Sequence, residues 1–162
     1  MVKKQNDSTE GLTPDTPQLR LRVLEAVLIE TGHVDTAALQ SLAKAFADRI
    51  DPSAAADLAS LAEPGIPAAQ VGGAAMLAVP KNAEGPIFRE FWEAQAFALA
   101  LALAERGAFT WPEWAETFGD EILRGRKARE LKKDGAYYRT WLKALERVVA
   151  EKRLGERSSD AP

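Results

Sequence analysis

Cysteine is missing from all 162 residues. That excludes disulfides, thiolate metal sites and a cysteine nucleophile. Histidine occurs once, as His33. It follows Gly32 in a turn, where an exposed or capping role is the ordinary one. No elbow motif surrounds any serine, so a Ser-His-Asp triad built on His33 has no support. Long apolar runs are also lacking. The longest, Ala94 to Ala104, is broken only by Gln95, yet it is too short and too closely flanked by charge to span a bilayer. The opening residues contain no apolar signal region, so the expected location is cytoplasmic, with no membrane partner. Positive charge is not in surplus either: the net charge of −3 gives no general reason to expect nucleic acid.

Aromatic residues are present and concentrated. The stretch from Gly85 to Phe118 holds three of the four Trp and five of the six Phe. Large aromatics bury the most area per residue, so the densest core is expected there, with Phe97 interior. The apolar helix around Ala94–Ala104 has no polar face and is expected to be covered on most sides. Gly107 ends it. Thr110 and Glu113 have capping-box spacing, with Pro112 in the first turn, so a second helix starts at about Trp111 and continues to Leu123.

The rest of the chain reads as helix and connector. Residues 1–17 form a polar tail expected to be disordered. Residues 18–62 form a helical arm. Thr16 and Pro17 open its first helix, whose apolar face is Leu19, Val23, Leu24, Val27 and Leu28. Asp35 caps the second, with Leu39, Leu42, Ala43, Phe46 and Ile50 on one side. A third, Ala-rich helix is expected from Pro52 to Leu61. Residues 63–85 carry the Pro and Gly density of a linker or extended crossing segment, with Met76–Val79 as an apolar strip. Residues 86–154 form the main helical domain, and residues 155–162 a second disordered tail. Arg124 to Lys133 holds six basic residues and one acid and reads as a charged loop or as a patch for an acidic protein. Asp134 caps a last helix with Tyr138, Trp141, Leu142, Leu145, Val148 and Val149 on its apolar face. With no convincing strand, the fold class is all-α.

One carboxylate group stands out. Helical spacing puts Glu113, Glu116 and Asp120 on roughly one face, with Glu121 beside them. Such a face holds a hard cation weakly, but it is more often solvated and favoured by the helix dipole. No metal site is assigned to this chain.

Gly85-Pro-Ile-Phe, Trp92-Glu, Phe97-Ala-Leu, Gly107-Ala-Phe-Thr-Trp, Glu113-Trp-Ala-Glu and Tyr137-Tyr-Arg-Thr-Trp-Leu-Lys-Ala-Leu-Glu146 resemble the nitrile hydratase accessory (activator) proteins. They are less closely similar to the N-terminal helical half of nitrile hydratase β subunits. Val23 to Leu39 resembles the N-terminal helical arm of the α subunits, over plain helical sequence. The resemblance implies a chain that binds a nitrile hydratase-type α subunit and assists its metal insertion and maturation. The cobalt or iron belongs to the α subunit's cysteine claw, so this chain holds no cofactor alone and is not an enzyme alone. The resemblance also implies partner-binding aromatics, here Trp92, Phe109, Trp111, Trp114, Tyr137, Tyr138 and Trp141, with core packing as the alternative for each. Tyr137 is the best placed of the last three for an exposed contact. The arginine with which β subunits bond the oxidised cysteines aligns with Ala115, which cannot donate such bonds. The C-terminal β-barrel half of a β subunit has no counterpart in these 162 residues. Both departures favour an accessory protein. The alternative is a non-catalytic, β-like structural subunit of a nitrile hydratase or thiocyanate hydrolase complex, which an α-like arm suits somewhat better.

Overall fold

The computed structural model describes residues 16–51, 65, 67–77, 81–82, 85–129, 131 and 136–154. The tails at 1–15 and 155–162, the expected helix at 52–61 and the cap at Asp134 lie outside them. The described chain forms six helices: α1 (Pro17–Glu30), α2 (Thr36–Ala47), α3 (Ala68–Leu77), α4 (Phe91–Glu105), α5 (Trp111–Lys127) and α6 (Ala136–Glu151). The fold is all-α. Among the described residues, extended pairing is limited to β1 (Lys81–Asn82) against β2 (Gly85–Pro86), two residues each and antiparallel, plus a single bridge between Ile50 and Phe88. No described helix is long and apolar enough to cross a membrane.

The helix starts follow local chemistry. Thr16 Oγ1 accepts from the Leu19 N–H, and Pro17 opens α1. Asp35 accepts from the Ala38 N–H at 3.0 Å and opens α2. Before α5 the capping box is complete: Thr110 Oγ1 accepts from Glu113 N–H, and Glu113 Oε1 accepts from Thr110 N–H. Gly32 and Gly107 take φ of 84° and 82° just after α1 and α4, a backbone region open to glycine at little cost.

The apolar sequence of α4 puts it at the centre. Trp92, Ala94, Ala96, Ala98, Leu99, Ala100, Ala102 and Leu103 are all buried, as a helix without a polar face requires. α1, α2 and α6 all pack against it, so the arm helices fold onto the main domain of their own chain. α1 is rotated from its sequence reading. It buries Leu21, Leu24 and Leu28, while Val23 is 56% exposed. Both stripes are apolar, so hydrophobicity alone does not choose between them. Arg20 suits the observed rotation: its guanidinium pairs with Glu146 of α6 through Nε–Oε2 at 3.0 Å and through Nη2–Oε1.

The segment 63–85 differs most from expectation. Its centre is not an extended linker but α3, packed on α5. A Cβ built on Gly72 would sit 1.8 Å from the Ala115 carbonyl oxygen, and one on Gly119 would sit 1.6 Å from that of Ala68. Ala68 and Gly72, like Ala115 and Gly119, are four residues apart and share a helix face. Two such small-residue faces let the backbones approach closely. Gly72, which read as a breaker, is therefore part of the contact itself. Met76 and Leu77 end this helix and form no extended strip.

α5 also runs further than Leu123, to Lys127. Arg124 reaches back to Asp120 and Glu121 at 3.7 and 3.9 Å, and cations in a last turn suit the dipole. Leu131 folds over Gly125. The first part of the basic segment is thus helix rather than loop.

Candidate partner-binding face

Trp141 of α6 is the hub of the aromatic cluster. Its ring stacks on Phe97 with centroids 5.2 Å apart, and it meets Trp114 at 4.8 Å and Phe118 at 5.4 Å. Its Nε1–H donates to the Ala96 carbonyl at 3.1 Å, so the indole is both packed and satisfied. Tyr137 and Tyr138 lie 5.9 Å from the same ring. Phe109 stacks on Trp114 at 5.4 Å, and Phe88 joins Phe97 and Tyr138 at 5.5 Å each.

This geometry changes the assignment of the seven aromatics. Trp92, Phe109, Trp114, Tyr137, Tyr138 and Trp141 are buried, and Trp111 alone reaches the surface, at 38% exposure. Tyr137, expected outside, is interior because its ring is edge-on to Phe118 at 5.4 Å and to Tyr138 at 4.8 Å. The six interior rings are core. Phe97, expected to be fully interior, is only partly buried. Phe46 covers one side of it, at 5.4 Å.

Three buried polar atoms in this cluster have no hydrogen-bond partner among the described residues: Trp114 Nε1, Tyr137 Oη and Tyr138 Oη. Burial pushes both phenols well above their usual range. Glu93 is buried nearby, and its charge reinforces the effect on Tyr138. Its carboxylate accepts the Arg89 N–H at 2.7 Å, yet desolvation dominates and raises its pKa.

Two surface residues escaped the sequence reading. Phe91 is 48% exposed and Val23 more so. The signal for Phe91 was available: Gln95, the one polar residue in the apolar run, stands four positions on and shares its face. Phe91 and Gln95 line a groove of about 530 Å³ between α4 and α1, with Glu90, Arg22 and Glu25. Burial lifts Glu25 to about 6, against the opposing pull of Arg22.

The carboxylates of α5 are tied to α6. Glu113 bonds Lys152 at 2.9 Å, which with the Thr110 N–H holds its carboxyl below the usual range. Arg147 bridges Asp120, Glu121 at 3.2 Å and Glu151 at 2.9 Å. Three of the four acids are thus charge-compensated in the α5–α6 seam, which disfavours a further cation there. His33 Nδ1 lies 2.9 Å from Thr31 Oγ1, which also bonds the Leu154 carbonyl at 3.0 Å. That contact secures the turn and the end of α6. Ala115 lies on the α5 face covered by α3.

Residues 67–158, more than half of the chain, match the family model described as nitrile hydratase beta subunit, N-terminal. Its start coincides with α3, placing that helix inside the family domain and α1 and α2 outside it. No curated protein and no solved structure matches the chain.

Proposed function

The chain belongs to the nitrile hydratase beta subunit N-terminal family, and from that membership we propose that it is an accessory protein that binds a nitrile hydratase-type α subunit and assists its metal insertion. The match over residues 67–158 carries the proposal. Two features of the sequence support the accessory role over a share in catalysis. There is no cysteine to build a thiolate metal site. Ala115 stands where the resemblance places a hydrogen-bonding arginine, and a methyl group donates nothing. Cobalt or iron is the α subunit's cargo in this reading.

The aromatic core serves as scaffold, and contact falls to surface groups. Trp111 and Phe91 are the large exposed aromatics, the residue type that most often anchors interfaces. Trp111→Ala is expected to weaken α-subunit binding by about 2 kcal/mol while leaving the helical content intact. Titration calorimetry with purified α subunit reads the first, and circular dichroism the second.

Coexpression with the candidate α subunit, followed by purification of the active enzyme, tests the role. An accessory protein leaves the mature complex. Fixed stoichiometry in the active complex establishes the structural-subunit alternative instead. That alternative drew on an α-like arm suited to wrapping partners, but α2 and α1 pack on α4 of their own chain. The purified chain alone, with added cobalt or iron, is expected to hydrate no nitrile above the free-metal control.

A further inference from the structure

The groove between α1 and α4 carries negative charge that its own walls leave uncompensated, and we infer that it receives an arginine side chain of a partner protein. Gln18, Arg22 and Glu25 form the α1 wall, at spacings of four and three that share a helix face. Glu90, Phe91, Trp92 and Gln95 form the wall at the start of α4. The first wall lies outside the matched family region and the second inside it. The groove therefore exists because the added helix packs on the family domain. Its volume of about 530 Å³ is in the range of binding clefts.

Charge selects the occupant. Two carboxylates, Glu25 and Glu90, line the groove against one guanidinium, Arg22. Glu25 is half-buried, and among the described residues it makes no hydrogen bond or ion pair; only the field of Arg22 opposes its desolvation. A partly buried charge in that state gains from an arriving cation. Glu90 accepts the Trp92 indole N–H at 3.1 Å, which holds it in place, and a carboxylate has capacity for further donors. Phe91, about half exposed on the same wall, offers a ring to a cation. A guanidinium suits this set better than an ammonium. It is planar, it stacks on rings, and its five N–H donors can be shared among two carboxylates and the amide oxygens of Gln18 and Gln95. An acidic side chain would meet the surplus negative charge and is disfavoured.

Titration of the full chain with a capped Gly-Arg-Gly peptide, followed by NMR, tests this without any α subunit. The expected result is a set of saturating shifts centred on Phe91 and the side-chain amides of Gln18 and Gln95, with a Kd on the order of 1 mM. Citrulline in place of the peptide's arginine keeps the shape and removes the charge, and is expected to bind at least about tenfold more weakly. Lysine in the same place is expected to bind about threefold more weakly. These comparisons leave the protein unaltered. Glu25→Gln combined with Glu90→Gln is expected to abolish saturation with unchanged circular dichroism, because both replacements keep the side-chain shape. Arg22→Gln removes the competing cation and is expected to tighten binding about threefold. No saturation with the arginine peptide, equal binding of the citrulline or lysine peptide, a doubly amidated variant that binds as well as wild type, or an Arg22→Gln variant that binds no more tightly would each overturn the inference.

Discussion

Tyr137 and Tyr138 bury hydroxyls that find no hydrogen-bond partner among the described residues, and this has a measurable consequence. A buried donor without a partner carries its desolvation cost uncompensated. Tyr137→Phe and Tyr138→Phe are therefore expected to leave stability unchanged or to raise it by about 1 kcal/mol, read by urea unfolding. Phe97→Ala is expected to act oppositely and cost about 3 kcal/mol, the low end for a ring that is partly covered. Glu25 gives a pH signature. Its folded pKa of about 6 lies above the 4.5 expected of an open carboxyl, so the native state binds the proton more tightly. The stability tied to this proton is fully present below pH 4.5 and is lost as pH rises through about 6. Glu25→Gln is expected to flatten that decline and to stabilise the protein at pH 7 by about 1 kcal/mol, after allowance for solvent screening. Melting temperatures at pH 4.5 and pH 7 decide it. An unchanged pH dependence would remove Glu25 as the source.

The α3–α5 contact has the plainest test among the elements. Gly72→Ala or Gly119→Ala would drive a methyl group into the backbone of the facing helix and is expected to cost about 1–3 kcal/mol. Gly73, one residue on, has open space where its Cβ would stand. Gly73→Ala is expected to stabilise by up to about 1 kcal/mol through helix propensity. The same neighbouring glycines mark the limit of what the sequence disclosed. Caps are local, so Thr16, Asp35 and the Thr110–Glu113 box were legible from a few adjacent letters. The burial of α4 was legible because a helix with no polar face must be covered. α3 was not, because its stability comes from packing rather than propensity, and its packing partner lies more than forty residues away. The side of α1 was hidden for a related reason: two apolar stripes compete, and Arg20 meets Glu146 from the far end of the chain. The aromatic motifs carried the similarity to the β-subunit N-terminal half, which the family match over residues 67–158 supports, but they did not distinguish ring as core from ring as contact. Trp111 and Trp114 stand three positions apart, yet one is exposed and the other is enclosed by Phe109, Phe118 and Trp141.

At the scale of the molecule, a nitrile hydratase β-type helical domain carries two additional helices that pack on its central α4. The domain is built around interior aromatics, and among the described residues Val23, Phe91 and Trp111 are the exposed large hydrophobic groups. The central claim is that this chain serves maturation of an α subunit. The direct measurement is the cobalt and iron content of that subunit, purified after expression with and without this chain. The expected result is a full complement of metal with the chain and a substoichiometric one without it. Equal metal content in the two preparations would contradict the account.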